Sequence, residues 1–206
     1  MNATSSYDRS GPRLQRRAAV ARILQARGDA LVVAGLGSAA YDLYAAGDTP
    51  LNFYLWGAMG GAAMLGLGLA LAQPQRRVVV LTGDGEMLMG LGSLATIAAA
   101  RPANLALIVL DNEHYGETGM QPSASARGAD LAGIAASAGV GNARTVHNEA
   151  ALDALADELF SASGPLFAVI KIATDPNPPS LPPRDGPLLR SRLRSALLGP
   201  AENQAA

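Results

Sequence analysis

The chain has 206 residues, 17 acidic and 16 basic side chains, a formal net charge of −1 and no cysteine. This length suits one domain with a substantial core, and the near-neutral charge gives no electrostatic case for nucleic acid as a partner. The absence of cysteine excludes a disulfide framework and thiolate chemistry.

The N-terminal region is polar and then rich in arginine. We expect residues 1–12 to be flexible and residues 13–27 to form a helix. An arginine-rich start could be a mitochondrial presequence. Because the helix runs directly into the first core strand, we interpret it as a docking helix with a solvated face. Nothing marks secretion, so we expect a cytoplasmic protein.

A short apolar strand is predicted at residues 30–34, followed by Gly-Leu-Gly-Ser and a helix that reaches Tyr44. A glycine-rich turn that opens a helix is a candidate phosphate site. It does not complete the Gly-x-Gly-x-x-Gly pattern of dinucleotide-binding proteins. The alternative is an ordinary tight turn.

The next predicted helix, residues 60–72, is apolar on almost every side and rich in glycine and alanine. It is too short to cross a bilayer, which requires about 20 residues. A helix without a polar face is normally buried, so we expect it in the core and at a subunit interface. No membrane partner is expected.

The stretch from Val78 to Asn112 has the pattern of a βαβ unit. Residues 78–82 and 105–110 are apolar runs typical of buried strands, and apolar residues recur at helical spacing from Met87 to Ala98. The crossover makes the two strands parallel, so both end at the same edge of the sheet.

This geometry brings oxygen ligands together. Asp84 and Asn112 follow the two strands, at the edge where open α/β sheets bind ligands. Gly83 and Gly85 allow backbone to approach a ligand, and a helix starting at about Glu86 offers N–H groups to a phosphate. One carboxylate, one amide oxygen and one backbone carbonyl suit Mg²⁺ completed by phosphates and water, and suit zinc poorly.

The spacing also resembles a known motif. Gly83-Asp84-Gly85, 25 further residues and Asp111-Asn112 are similar to the Gly-Asp-Gly…Asn-Asn motif of thiamine-diphosphate enzymes, with Asp111 in place of the first Asn. The resemblance implies that Asp84, Asn112 and the carbonyl of His114 bind Mg²⁺. Gly-Asp-Gly alone also forms ordinary turns. The strand context and the spacing favour the cofactor site.

A second segment, residues 52–60, resembles sulfopyruvate and phosphonopyruvate decarboxylases. The resemblance implies that Met59 wedges thiamine diphosphate into its bent shape and that the Gly57 carbonyl accepts from its 4′-amino group. The alternative for Met59 is a plain core methionine. These decarboxylases often carry Arg-Glu where this chain has Tyr41-Asp42.

The same resemblance assigns the turn after the first strand and the loop after Asn112 to the cofactor. It implies that the diphosphate is held or covered by Gly37, Ser38, Tyr115, Gly116, Glu117 and Thr118, together with Gly83, Gly85 and Glu86. The His114 side chain is a candidate proton shuttle because its ordinary pKa is near neutrality. The alternative, which we favour, is that only its backbone takes part.

The C-terminal third completes one domain. We predict a helix over residues 130–140, an amphipathic helix capped by Asn148 and a last buried strand over residues 166–172. The expected fold is α/β, a single three-layer thiamine-diphosphate-binding domain over residues 13–173 with a mostly parallel sheet flanked by helices. Residues 174–206 are expected to be a proline-rich extended segment, a short helix and a tail.

The resemblance predicts that the chain works with a partner subunit. The resemblance implies that the Glu that activates this cofactor through N1′ lies on a separate pyrimidine-binding domain, and we expect this chain to supply only the diphosphate-binding domain. We therefore expect a pyrimidine-binding alpha subunit that carries this Glu, with self-association into dimers within a hetero-oligomer. The expected function is the beta subunit of a Mg²⁺-dependent 2-oxo acid decarboxylase acting on 3-sulfopyruvate. Alternatives are phosphonopyruvate decarboxylation, another split lyase or transferase such as an acetolactate-synthase-like subunit, and a non-catalytic cofactor-binding or assembly subunit.

Overall fold

A six-stranded parallel sheet forms the centre of the computed structural model, which describes residues 13–174 and 177–199. The strands are β1 (Leu31–Ala34), β2 (Asn52–Tyr54), β3 (Val78–Gly83), β4 (Leu105–Asp111), β5 (His114–Tyr115), β6 (Gln121–Pro122), β7 (Asn142–Val146) and β8 (Leu166–Lys171). The sheet order is β2-β1-β3-β4-β8-β7, and each neighbouring pair is parallel. Strands β5 and β6 form a separate antiparallel ladder.

Helices cover both faces of this sheet. They are α1 (Arg16–Leu24), α2 (Ser38–Ala45), α3 (Ala62–Ala72), α4 (Asp84–Met89), α5 (Ser93–Ala100), α6 (Leu131–Ala138), α7 (Glu149–Glu158) and α8 (Gly186–Leu198). Helices α1, α2 and α7 share one hydrophobic core with the sheet, and α3, α5 and α6 share the other. Strands covered on both faces are apolar along their length. The predicted three-layer α/β fold is confirmed.

Helix α8 closes the β2 edge of the sheet. Its Leu189 belongs to one core and its Leu193 to the other. Between them, Arg192 pairs with Asp48 at 2.6 Å and donates to the backbone oxygen of Asn52 at 3.3 Å. Covering an edge strand in this way removes a template for unwanted strand pairing. The helix predicted after the proline-rich segment therefore completes both cores.

Four strands, β2, β5, β6 and β7, and the break between α4 and α5 were not predicted. Strand β7 is a half-buried edge strand with few apolar residues, and β2 has three residues, so neither gave a clear pattern. The helix expected from about Glu86 starts at Asp84 and is interrupted after Met89. At this interruption the backbones of Gly90 and Gly60 approach closely, and a Cβ on Gly90 would lie 2.2 Å from the backbone oxygen of Gly60, so only glycine fits there.

Other boundaries are shorter than predicted or lie outside the described residues. Helix α1 spans nine residues, and α3 begins at Ala62. The flexible segment predicted at residues 1–12, residues 175–176 and the tail from residue 200 lie outside the described ranges. Within those ranges, no helix has the length and hydropathy needed to cross a bilayer.

Candidate active site

The carboxyl edge of β3 and β4 brings together the oxygen ligands expected there. Gly83 is paired with Leu110 in the sheet, so Asp84 and Asp111 follow side by side. Asp84 is 1% exposed and lines a cavity of about 160 Å³, and Asn112 lines the same cavity.

Most of the predicted site residues line this cavity. They are Ser38, Met59, Gly83, Asp84, Gly85, Glu86, Asn112, His114, Tyr115, Gly116, Glu117 and Thr118. Gly37 and Gly57 are not among the lining residues. The cavity is also lined by residues that sequence reasoning missed, namely Arg16, Leu36, Ala39, Leu110 and Ile172. Leu36 lies within the glycine-rich turn between β1 and α2, and the other four lie in or next to ordinary helical or strand patterns that no motif distinguishes.

Asp84 is a buried carboxylate without a salt bridge in the part of the chain that the structure describes. Burial, with a further contribution from Asp111, raises its pKa to about 6. The hydroxyl of Ser123 donates to Oδ2 at 2.5 Å and partly offsets this. A carboxylate in this environment is stabilised by a bound cation. Ser123 follows β6 and was not predicted, since nothing local marks it.

Asn112 and His114 form a tight local turn. The Asn112 side-chain oxygen accepts from the backbone N–H of His114 at 2.9 Å. His114 Nδ1 lies 2.8 Å from the Asn112 carbonyl oxygen, which can only accept, so this nitrogen carries the proton. Nε2 is then the nitrogen available for proton exchange, and the proposed shuttle role of His114 stays a prediction.

A buried ion network supports this turn from both sides. Lys171 donates to Asp111 at 2.6 Å and to Glu113 at 2.9 Å, and Arg13 pairs with Glu113 at 3.1 Å. Burial would raise the pKa of Glu113, but Lys171 and Arg13 outweigh it and lower the pKa. Glu113 has a left-handed backbone with φ of 65°, which is unfavourable for a residue with a side chain. The network holds the residues on either side of Asn112.

The Glu86 carboxylate lies between the end of β3 and the turn after β1. The Thr82 hydroxyl donates to its Oε2 at 2.9 Å, and burial raises its pKa. The hydrogen bond from Thr82 and nearby backbone N–H groups partly offset this rise in pKa, and Oε1 has no hydrogen-bond partner among the described residues. A Cβ at Gly35 would lie 1.7 Å from Oε2, so this carboxylate fills the space beside a glycine. Cofactor contact by Glu86 stays a prediction.

The loop after β5 lies across the turn that opens α2. The Tyr115 ring is 2.4 Å from the position of a Cβ on Gly85, so only glycine fits there. Glu117 Oε1 is 2.7 Å from the corresponding position on Gly37, whose φ is 73°. The pKa of the neighbouring Tyr41 is raised by burial and then by the charge of Glu117. The loop and the predicted phosphate turn therefore share one site.

Met59 lies in the segment between β2 and α3. It is 40% exposed, which is unusual for a core methionine, and it lines the cavity. The preceding Ala58 has a φ of 53°, a left-handed conformation that is costly for alanine. Such strain is retained where the surrounding structure fixes the backbone. Gly57 is exposed at the start of this turn.

The residues present fit a magnesium site better than a zinc site. The described ranges contain no group of three or more His, Cys, Asp or Glu side chains placed to hold a metal ion. The candidate set instead offers one carboxylate, one amide oxygen and a backbone carbonyl, with room in the cavity for further oxygen ligands. Mg²⁺ commonly uses few protein carboxylates and completes its shell with phosphates and water.

Comparisons with known proteins agree with this geometry. Residues 35–171 match the family model of the thiamine pyrophosphate enzymes, C-terminal TPP-binding domain. The chain is 42% identical over 159 residues to the sulfopyruvate decarboxylase subunit beta of Methanothermobacter thermautotrophicus, covering 77% of this chain and 82% of the relative. It is 46% identical over 155 residues to the phosphonopyruvate decarboxylase of Streptomyces viridochromogenes, covering 75% of this chain and 38% of that protein.

A solved structure extends the likeness to three dimensions. A crystal structure assigned as a thiamin diphosphate-dependent enzyme from Mycobacterium smegmatis superposes with a TM-score of 0.67 at 25% identity. The match covers 79% of this chain and 32% of the other. The likeness therefore concerns one domain of a larger protein.

Proposed function

Because the chain belongs to the thiamine pyrophosphate enzymes, through a C-terminal TPP-binding domain at residues 35–171, we propose that it is the beta subunit of a decarboxylase that converts 3-sulfopyruvate to sulfoacetaldehyde and CO₂. The observation that carries the proposal is the 42% identity with a sulfopyruvate decarboxylase subunit beta over 82% of that subunit. The second candidate substrate is phosphonopyruvate, favoured by the 46% identity to a phosphonopyruvate decarboxylase.

Three oxygens of this chain would hold the metal ion. They belong to the Asp84 carboxylate, the Asn112 side chain and the His114 backbone. The uncompensated charge of Asp84 supports a cation there, and Mg²⁺ fits the donor set. The diphosphate would lie against Gly83, Gly85, the turn at 37–38 and the loop at 115–118. Thiamine diphosphate, when bound, supplies the electron sink that allows a 2-oxo acid to lose CO₂.

The remaining residues shape the reaction space. Met59 presents an apolar side chain to the cavity, and the Gly57 carbonyl is the proposed acceptor for the cofactor's amino group. Leu110 and Ile172 form an apolar wall that limits water in the site. For His114 the backbone carbonyl is the favoured contribution, and proton exchange at Nε2 is the alternative.

We propose that the activating Glu comes from a pyrimidine-binding alpha subunit. The nearby glutamates of this chain already have neighbours within it. Glu113 pairs with Lys171 and Arg13, Glu86 accepts from Thr82, and Glu117 lies beside Tyr41. Helix α3 leaves Met64 and Leu71 42% and 59% exposed, an apolar surface that suits association between copies of the chain. A cytoplasmic location remains an expectation.

The experiment is reconstitution. The purified chain, a pyrimidine-binding partner, thiamine diphosphate and Mg²⁺ are mixed with sulfopyruvate or phosphonopyruvate, and CO₂ release is measured. We expect turnover with both subunits, none with the chain alone, and loss on changing the partner's activating Glu to Gln. Full turnover by this chain alone would contradict the split site. Faster turnover of phosphonopyruvate would make it the proposed substrate in place of 3-sulfopyruvate.

A further inference from the structure

One basic side chain lies at the cavity wall outside every motif considered above. Arg16, at the start of α1, is 9% exposed and lines the same cavity as Ser38, Asp84 and Asn112. Within the described ranges it is the only Arg or Lys among the lining residues. It therefore places a permanent positive charge at the wall of the candidate cofactor site.

Arg16 is held by a buried carboxylate that it shares. Asp42 of α2 is fully buried and accepts from Nε of Arg16 and, at 3.1 Å, from Nε of Arg17. Arg17 also donates to the backbone oxygen of Pro178 at 2.7 Å, on the outside of the fold. Two guanidinium groups share one carboxylate, so the cluster carries one surplus positive charge. A nearly buried surplus charge is unfavourable unless an anion completes it.

The contact through Nε leaves the far end of Arg16 available. Its two terminal nitrogens have no hydrogen-bond partner among residues 13–174 and 177–199. Asp42 thus orients the guanidinium through its Nε edge. The two terminal nitrogens form a fork of N–H groups that is available to an anion. This fork matches the geometry of phosphate oxygens, which it binds with two parallel hydrogen bonds.

We propose that Arg16 binds the diphosphate of the cofactor, with Asp42 as the residue that positions it. The proposal rests on the proposed function, since it needs thiamine diphosphate in this cavity. The other charged side chains lining the cavity are Asp84, Glu86 and Glu117, all acidic. A Mg²⁺ ion at Asp84 offsets only part of the diphosphate charge, and Arg16 supplies a further positive charge at the wall.

Arg17 provides a matched control. It makes the same kind of contact with Asp42, but it is 32% exposed at its side chain and is not among the cavity-lining residues. Arg16→Met and Arg17→Met each remove one guanidinium from the same carboxylate. If the two arginines only stabilise the fold, both variants should change pyrophosphate affinity to a similar extent. If Arg16 binds phosphate, only Arg16→Met should lower that affinity strongly.

The test is calorimetric titration of the full-length chain with inorganic pyrophosphate in the presence of Mg²⁺. We expect Arg16→Met to lower affinity about tenfold or more, as loss of charge-assisted hydrogen bonds predicts. Arg17→Met should stay within about twofold of the wild type. Arg16→Lys should be intermediate, because an ammonium group cannot hold Asp42 and a phosphate as a fork does. The Arg16→Lys variant also keeps the proposal testable if Arg16→Met fails to fold.

Each other outcome has a definite meaning. Unchanged affinity in both Arg16 variants, or equal losses in Arg16→Met and Arg17→Met, would overturn the role of Arg16 and leave the proposed function standing. Failure of the wild-type chain to bind pyrophosphate with Mg²⁺ would remove the diphosphate site and both proposals with it.

Discussion

Lys171 and Asp111 are paired twice, once as neighbours in the register of β8 and β4 and once through a hydrogen bond of 2.6 Å between Nζ and Oδ2. Asp111 also accepts from the backbone N–H of Glu113 at 2.9 Å. The pair therefore fixes the chain immediately before and after Asn112. It also explains how Asp is accommodated where the resembling motif has Asn.

We predict that Lys171→Met destabilises the fold and weakens cofactor binding. The variant leaves two carboxylates, Asp111 and Glu113, without their buried cation. Breaking such a pair costs about 3 kcal/mol in the free energy of unfolding. Urea unfolding measures the loss, and calorimetry with thiamine diphosphate and Mg²⁺ measures the binding.

The control is a double-mutant cycle with Asp111→Asn. The double variant should recover part of the stability lost in Lys171→Met, because it no longer buries the same unpaired charge. Simple additivity of the two single variants would show that Lys171 and Asp111 do not act as a pair.

We predict that Asp84→Ala abolishes Mg²⁺-dependent binding of thiamine diphosphate, because it removes the only charged protein ligand of the proposed metal set. Asn112→Ala should weaken binding less, since it removes a neutral oxygen. Calorimetry with and without Mg²⁺ measures both. An Asp84→Ala variant with wild-type affinity would disprove the metal assignment.

Asp84 should also give the metal-free chain a characteristic pH dependence. Its pKa is about 6 in the folded state and 3.8 ordinarily, so the folded state binds the proton more tightly than the unfolded state. Its contribution to stability is therefore fully present below pH 4 and is lost as pH rises through 6.

We expect Asp84→Asn to remove this contribution. Relative to the variant, the wild type should lose on the order of 2 kcal/mol of unfolding free energy between pH 4 and pH 7. Urea unfolding in the presence of a chelator measures it. A constant difference between the two proteins across this range would contradict the assignment.

Met59→Ala is predicted to reduce the rate more than the affinity for the cofactor. The side chain shapes the space next to the reacting groups, and misplaced groups lower kcat. In the reconstituted enzyme, kcat should fall at least about tenfold while the dissociation constant of thiamine diphosphate changes only a few-fold. Leu188→Ala, at an exposed position of α8, is the comparison. Equal losses of kcat and affinity would assign Met59 to packing.

Gly35→Ala is predicted to destabilise the chain by displacing Glu86. The added Cβ would lie 1.7 Å from Oε2, so the buried carboxylate must move and lose its bond from Thr82. A loss of about 2 kcal/mol is expected for such an overpacked site. Adding Glu86→Ala should restore part of the stability by freeing the space. If the second change brings no recovery, strain in the turn itself is responsible.

The strand pattern around the site was predictable because it depends on local spacing. Apolar runs at residues 78–82 and 105–110, a crossover helix between them and Gly-Asp-Gly at the first strand end are enough to place Asp84 and Asn112 at one edge. The fold class follows from the same pattern. Strand β7 was missed because an edge strand has one exposed margin and carries polar residues such as Arg144.

The surroundings of the site were decided by contacts between distant parts of the chain. Ser123 reaches Asp84, and Arg16 reaches Asp42 across 26 positions, by the way that loops and helices pack on the finished sheet. Nothing in the local sequence of either residue distinguishes it from a solvated serine or a surface arginine. The sequence by itself therefore determined which residues stand at the strand ends, where backbone periodicity dictates position. Tertiary packing alone decided which charges and hydroxyls surround them, because burial and long-range pairing exist only once the layers have assembled.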